Sequence, residues 1–262
     1  MPEQAPPGID ITVATAARMY DYYLGGKDNF AADREAADHV LAAAPEVRPI
    51  ARENRRFLQR GVRYLAEQGV TQFLDIGTGL PTQGNVHEIA QAHEPSARVV
   101  YVDNDPIVLV HARALLATGS ATRVVTADLR DPDAVMRAAD ELLDLSRPYA
   151  LLLAAVLHFI PDTDHPHDVV AGYRDALPAG SHLLISHVTG DTRPQSSAGA
   201  AAAYRNTRNP ATLRTVEDIA SFFGDLELVD PGLVRVPLWR PDAPTSADAE
   251  EIWMYGGIAR KS

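Results

Sequence analysis

The spacing of hydrophobic positions changes near Gly69. Before it the rhythm is helical. Residues 31–44 are alanine-rich and predict a helix closed by Pro45, and a longer helix is predicted over residues 46–68. In that longer segment Val47, Ile50, Phe57, Leu58, Val62 and Leu65 recur at three- and four-residue steps, the period of a helix that buries one face. Asn54 lies on the same stripe, four residues after Ile50 and four before Leu58. A polar amide there is either a satisfied structural hydrogen-bonder or a site residue. Arg52, Arg56, Arg60 and Arg63 fall mostly on the other side.

After Gly69 come short apolar, β-branched-rich runs: TQFLDI, RVVYVD, TRVVTA, YALLLAAV and SHLLISHV. Helical stretches are predicted between them at 86–92, 107–117, 134–143 and 168–177. Strands alternating with helices predict βαβ crossovers, a parallel sheet and an α/β fold. The runs do not alternate with polar residues, as expected for strands covered on both faces. Thr215 and Asp218 form a capping-box pattern that opens a helix over 216–223. Two late strands are predicted near 226–229 and 252–259. Residues 189–214 have weak periodicity and read as a mobile lid or a linker. The division that follows is a tail and helical cap over 1–69, with a loose start over 1–14, and a main domain over 70–262 carrying a lid-like insertion at about 189–214.

The formal net charge of −11 argues against nucleic acid as the main partner, since phosphate binding needs clustered positive charge. There is no cysteine, which excludes disulfides and thiolate metal sites and makes a reducing cytoplasm the simplest location. No run approaches the roughly 20 apolar residues that cross a membrane, so no membrane partner is expected. A homodimer stays open.

The strongest chemical signal is FLDIGTGLP, in which a strand runs into Asp75 and a turn holds Gly77, Thr78 and Gly79. Ligands of open α/β sheets bind beyond the carboxyl ends of the strands, where glycines allow close approach of backbone. A dinucleotide reading needs a third glycine at position 82, which is Thr82, and Pro81 interrupts the turn. Asp75 would repel a pyrophosphate but suits a cationic ligand. S-adenosylmethionine carries a sulfonium and an ammonium and has no phosphate, so this contrast favours it over NAD. VVYVD ends at Asp103, 24 residues beyond Gly79, where a carboxylate accepts from ribose hydroxyls. At the end of the third strand Asp128 and Leu129 are placed to read adenine. For Asp128 a helix cap is the competing reading, because Asp131-Pro132 opens a helix just beyond.

These residues resemble the class I S-adenosylmethionine-dependent methyltransferases over 70–187. A narrower resemblance covers nearly the whole chain. ARMYDYYLGGKDNFAADREAA, ENRRFLQRGVRYL, QFLDIGTGLPT, VYVDNDPIVLVHARALL, and PGLV followed by LWRP together resemble the actinobacterial S-adenosyl methyltransferase family, once a domain of unknown function. The resemblance implies a Rossmann-like sheet of seven strands, mostly parallel with the last antiparallel, with helices on both faces and an N-terminal helical cap. It implies S-adenosylmethionine as cofactor and S-adenosylhomocysteine as product. Gly77 and Gly79 would face the methionine and ribose, Asp103 the ribose, and Asn104 the adenine. Asp128 and Leu129 would hold the adenine edge, and Ala154 and Ala155 would flank the sulfonium. After the fourth strand there is no Asn/Asp-Pro-Pro-Tyr, which speaks against methylation of an amide or exocyclic amine.

The expected activity is methyl transfer to a small-molecule acceptor at oxygen. A non-catalytic binder of the same cofactor and an NAD(P)-dependent oxidoreductase are the alternatives. His158 follows the fourth strand and is either a general base, since an imidazole titrates near working pH, or a packed structural histidine. His187 ends the fifth strand on the same rim and is a weaker candidate. His165 and His167 have the type of metal ligands, but with Pro166 they read as a solvated turn, and no metal is expected. In MYDYYLGGKDNF, Tyr20 and Tyr23 share a helical face and Gly25-Gly26 ends the helix. Lys27 is one of only two lysines, with Lys261. Tyr23 and Lys27 are therefore candidates for a lid over the cofactor, the alternatives being core packing and a solvated side chain.

Overall fold

A computed structural model describes residues 9–81, 84–110, 120–245 and 247–262. Three helices come first: α1 (Ala16–Leu24), α2 (Ala31–Ala43) and α3 (Val47–Glu67). The sheet then begins with β1 (Gln72–Ile76), followed by α4 (Val86–His93), β2 (Arg98–Asp103), β3 (Thr122–Thr126) and α5 (Pro132–Ala139). Next are β4 (Ala150–Ala154), α6 (Pro166–Asp175), β5 (His182–Val188) and α7 (Pro194–Tyr204). The chain ends with α8 (Val216–Ser221), β6 (Glu227–Leu228), β7 (Val234–Arg235) and β8 (Met254–Arg260). Residues 106–110 are helical; the rest of the helix expected at 107–117, like Thr82, lies outside the described residues.

The sheet order is β3-β2-β1-β4-β5-β8-β6, with β7 also pairing β8. The first five strands run parallel and β8 runs antiparallel to β5. The addition to the expected seven strands is β7, a two-residue strand. Chain order reverses between β1 and β4, so the switch point where α/β sheets bind ligands lies at their carboxyl ends.

Each central strand sends apolar side chains to both faces. Phe73, Val99, Leu152 and Leu184 join one core with α1–α4. Leu74, Val100, Leu151 and Leu183 join the other with α5, α6 and residues just after α8. By that alternation Asp75 and Ser186 point to the α1–α3 face. The N-terminal helices thus share a core with the sheet. α1 is anchored at its start by Asn209, whose Oδ1 accepts from the Ala16 N–H at 3.2 Å, and by the buried Arg18–Asp33 pair at 3.0 Å.

Three helices differ from the sequence expectation. Helices α5 and α6 start at Pro132 and Pro166, because proline suits the first helical position, where its missing N–H costs nothing. The weakly periodic 189–214 segment contains α7, which packs on α2. The ends of the segment are tied together, the Gly190 N–H and Thr189 hydroxyl both donating to the Arg214 carbonyl at 3.1 and 2.9 Å.

Candidate cofactor and acceptor site

A cleft of about 510 Å³ lies at the carboxyl ends of β1 to β4. Its floor is built from the turns that follow the strands: Asp75 to Gly79, Asp103 and Asn104, Asp128 and Leu129, and Ala154 and Ala155. Its roof comes from α1 and α3, through Ala16, Ala17, Tyr20, Asn54 and Arg55. Of the residues singled out in the sequence, these turns and Asn54 are brought together. Tyr23 is not among the cleft lining; it borders an adjoining chamber. Lys27 is exposed and lines neither cavity, so the structure does not bring it to the cleft. His187 is fully buried and also lines neither.

The β1 turn explains its glycine. Gly77 has φ +73°, and a Cβ there would meet Val156 Cγ2 at 2.3 Å. Only glycine lets the β1 and β4 turns close on each other. The Gly77 N–H donates to the Val102 carbonyl at 2.8 Å, and the Gly79 N–H donates to Asp103 Oδ2 at 2.9 Å. Asp103 Oδ1 accepts from the Asp105 N–H at 2.9 Å. Each oxygen of Asp103 keeps a further lone pair for a ligand hydroxyl. Burial raises the Asp103 pKa, opposed by the Asp105 and Gly79 N–H groups.

Asp75 is 5% exposed. No donor among the described residues hydrogen-bonds its carboxylate. Burial pushes its pKa up to about 7, with Arg55 opposing the shift and Asp103 adding to it. Arg55, at the edge of the α3 stripe, donates from Nη2 to Asn85 Oδ1 at 3.1 Å, while its buried Nε has no partner. The cleft is therefore lined by a carboxylate without a donor and by the Arg55 guanidinium.

Asp128 is the opposite case. Arg130 Nη2 donates to its Oδ2 at 2.6 Å and Arg130 Nη1 to Asp164 Oδ2 at 2.7 Å. These bonds hold the Asp128 pKa below the usual carboxylate range. The cap of α5 is Asp131, which accepts from the Ala134 N–H at 2.9 Å, so Asp128 is not that cap.

A hydrogen-bond chain ties the floor to the roof. The Ala155 N–H donates to Ser186 Oγ at 2.9 Å, and Ser186 donates to Asn54 Oδ1 at 2.6 Å. Asn54 Nδ2 donates to the Tyr20 hydroxyl at 3.0 Å, and Tyr20 donates to the Ala51 carbonyl at 2.9 Å. Asn54 is thus a satisfied amide that also lines the cleft. Ala155 has φ +54°, a strained conformation for a residue with a Cβ, and it turns the chain sharply where β4 ends.

The two histidines near β4 and β5 differ. His158 Nδ1 is buried without a partner, and its pKa lies well below the ordinary value because burial disfavours the cation, with His187 and Arg214 adding to the effect. His187 is saturated: its Nδ1 lies 2.6 Å from the Val188 carbonyl and its Nε2 3.0 Å from Arg214 Nη1. Since guanidinium only donates, Nε2 is the acceptor and Nδ1 carries the proton. That leaves His187 no lone pair for an acceptor proton. His167 stacks on Phe222 at 4.3 Å, and among the described residues no group of three His, Cys, Asp or Glu side chains is arranged to hold a metal.

Tyr20, Arg55 and Phe159 line the cleft and were missing from the sequence-based set. Tyr20 carried a signal, as part of the tyrosine cluster on one helical face. Arg55 had only its place beside Asn54 in the ENRRF stretch.

The sheet order, the glycine turn and the acids at the strand ends define a Rossmann-like, class I methyltransferase fold. The chain belongs to the S-adenosyl methyltransferase family, whose model matches residues 2–262, and S-adenosylmethionine is the cofactor. It is similar to the crystal structure of a candidate methyltransferase from Thermobifida fusca, at 46% identity and TM-score 0.92, over 98% of each chain. It is also similar to a DUF574 family protein from Streptomyces avermitilis, at 44% identity and TM-score 0.92, over 97% of this chain and 100% of that one. The fold matches the N-methyltransferase NodS from Bradyrhizobium japonicum in complex with S-adenosylhomocysteine, at 17% identity and TM-score 0.52, over 93% and 98% of the two chains. No curated protein matches.

The residues present fit this cofactor. A buried carboxylate without a donor and a guanidinium that also lines the cleft suit the ammonium and carboxylate of an amino acid. Arg55 only partly offsets the burial that raises the Asp75 pKa, and a cationic ligand against the carboxylate would lower it further.

Proposed function

We propose that the protein transfers the methyl group of S-adenosylmethionine to an oxygen of a small-molecule acceptor. In this reading Asp75 meets the ammonium and Arg55 the carboxylate of the methionine part. Gly77, Thr78 and Gly79 lie along its backbone, and Asn54 steadies the roof. Asp103 and Asn104 serve the ribose and the near side of adenine, and Asp128 and Leu129 serve the adenine edge. The carbonyls of Ala154 and Ala155 flank the sulfonium. Residues 1–69 act as the cap and 70–262 as the transferase body, with 189–214 walling the acceptor side. Tyr23 belongs to the acceptor side, and Lys27 and His187 have no part in binding.

The cofactor supplies a methyl carbon activated by sulfonium, and the methyl–sulfur electron pair remains on sulfur as a neutral thioether. The protein's share is to position the acceptor oxygen and to take its proton. The observation that carries this reading is His158. Its imidazole is buried beside the cleft, where burial favours the neutral form, and it has a ring nitrogen that no protein group uses. An acceptor nitrogen already bearing a lone pair would not need it, and the segment after β4 reads Ala154-Ala-Val-Leu157, without the residues that hold an amide.

The test uses methyl-labelled S-adenosylmethionine with fractionated metabolite pools and mass spectrometry of the labelled product. The expected product is an O-methyl ether or ester. His158→Gln should lower kcat by about 100-fold or more and leave S-adenosylhomocysteine affinity within about twofold. Label on nitrogen would overturn the oxygen assignment, and binding without any transfer would favour a non-catalytic binder.

A further inference from the structure

A second chamber of about 70 Å³ opens beside the cofactor cleft. The two share Ala16, Tyr20, Ala155 and Phe159. Its other walls come mainly from elements outside the sheet: Tyr23 from α1, and Ala200, Ala201 and Tyr204 from α7. Trp253 and Met254, at the start of β8, close the far side. No Asp, Glu, Lys or Arg lines it. An ionised group placed there would lose its hydration without a counter-charge, so the chamber selects a neutral occupant.

Tyr20, Ser197 and Trp253 on this wall donate to the Ala51 carbonyl, the Pro194 carbonyl and Glu46, which leaves two further polar positions. One is the imidazole of His158, which lines the chamber. The other is the hydroxyl pair of Tyr23 and Tyr204, 3.1 Å apart. Two hydroxyl groups that share one hydrogen bond leave one O–H unspent. The chamber therefore offers an acceptor for a ligand proton and a donor for a ligand oxygen, between aromatic rings.

We infer that this chamber is the acceptor subsite and that the acceptor is a small, uncharged phenol with its hydroxyl at the seam with the cofactor cleft. The inference rests on the methyltransferase reading above. Size limits the occupant. The chamber has under half the roughly 150 Å³ of an engineered apolar cavity that admits benzene, so a ring enters by one edge and the rest lies in the shared mouth. That places the hydroxyl between His158 and the cofactor cleft. Chemistry narrows it further. A phenol O–H, with a pKa near that of tyrosine at about 10, can pass its proton to an imidazole as the new bond forms, whereas an aliphatic alcohol is a far weaker acid. The O–H bond breaks with its proton on His158, the oxygen lone pair forms the O–CH3 bond, and the methyl–sulfur pair stays on sulfur. The positive charge moves from sulfonium to imidazolium, so the site gains no net charge. The five aromatic side chains Tyr20, Tyr23, Phe159, Tyr204 and Trp253 favour a ring over an alkyl chain.

The test is equilibrium binding to the full chain saturated with S-adenosylhomocysteine, using phenol, cyclohexanol and benzoate as probes. Phenol should bind, cyclohexanol and benzoate at least tenfold more weakly. Ala201→Phe, at a half-buried chamber position, should weaken phenol at least tenfold and leave S-adenosylhomocysteine affinity within twofold. Ala211→Leu, on a different segment of the wall, is read the same way if the first variant does not fold. Phenol binding unchanged in the filled variants, benzoate or cyclohexanol binding as well as phenol, or no binding of any probe would overturn the inference. Failure of the wild-type protein to bind S-adenosylhomocysteine would instead overturn the methyltransferase reading.

Discussion

The central strands β1 and β4 and the more outlying β3 and β5 lead into the same kinds of residue, treated in opposite ways. At β1 and β4 stand Asp75 and His158, both buried and each with a polar group that no protein partner meets. At β3 and β5 stand Asp128 and His187, both saturated, the first by Arg130 and the second by Arg214. The two imidazole rings are only 5.2 Å apart. Residue type does not separate the pairs, and both histidines are buried, although Asp128 is more exposed than Asp75. What differs is whether an arginine reaches the group. A buried polar group without a partner costs about 1–3 kcal/mol. Thr15, Arg174, His182, Thr192, Arg235 and Trp239 also carry such atoms elsewhere, but those of Asp75 and His158 lie beside the switch point, where a ligand can satisfy them.

The largest effect expected from breaking that contrast is at Arg214. Its guanidinium donates to the Leu157 and Ile160 carbonyls, to His187 and to Asp162. Arg214→Met would strand three buried acceptors and should lower stability by roughly 3 kcal/mol in urea unfolding. His158→Leu loses no protein hydrogen bond through its side chain and should cost less than about 1 kcal/mol. Equal losses in the two variants would erase the distinction between the two regions.

Next is Asp75. Asp75→Asn keeps the shape and removes the charge, so affinity for S-adenosylhomocysteine should fall about 10- to 100-fold by calorimetry, the worth of a hydrogen bond to a charged group. Stability should move the other way. Burial raises the folded pKa to about 7, so the folded state holds a proton that the unfolded carboxyl, near 3.9, releases. Between about pH 4 and 7 this group therefore lowers stability as pH rises, and the ligand-free Asn variant should melt no lower than wild type at pH 8. Ligand affinity follows the ionised form. It should climb by up to tenfold per unit toward pH 7 and level above it, and the variant should lose that slope. Arg55, Asp103 and Tyr101 are the charged or titratable neighbours coupled to Asp75, and none is a histidine. A wild-type affinity that is flat from pH 5.5 to 8 would show that Asp75 does not meet the ammonium.

This contrast is also where the sequence stopped being legible. The strands, their order of appearance and the acids at their ends were readable, because apolar runs and glycine turns are local. That His158 is free and His187 is held was not readable, since the deciding arginine lies 27 residues beyond His187. Helix α7 escaped notice because alanine lies on both its faces, which removes the hydrophobic contrast that marks a helix. Lys27 drew attention by its rarity among arginines, and rarity carries no information about where a side chain points. The double glycine ends α1 as expected and makes a tight corner: Gly25 caps the helix at φ +82°, and a Cβ on Gly26 would fall 1.9 Å from Asp21 Oδ1. Asp21 in turn accepts from the Asn29 amide at 2.8 Å and the Asp28 N–H at 2.9 Å, so those polar groups serve the corner.

The smallest effect, and the finest test of the comparison, is at Arg130. Its pairs with Asp128 and Asp164 join side chains that are 49%, 35% and 30% exposed, and pairs of that kind are worth about 0–1 kcal/mol. Arg130→Ala should therefore change urea stability by less than about 1 kcal/mol. Its effect on the ligand has a definite sign. The guanidinium occupies both Asp128 oxygens, which an adenine amine would otherwise use, so the two compete for one acceptor. Removing the arginine releases the carboxylate, and S-adenosylhomocysteine should bind up to about threefold more tightly, with no such gain in an Arg130→Ala, Asp128→Asn double variant. A loss of tenfold or more in the single variant would mean that Arg130 itself holds the ligand, and the saturated region would then belong to the site as much as the unsaturated one.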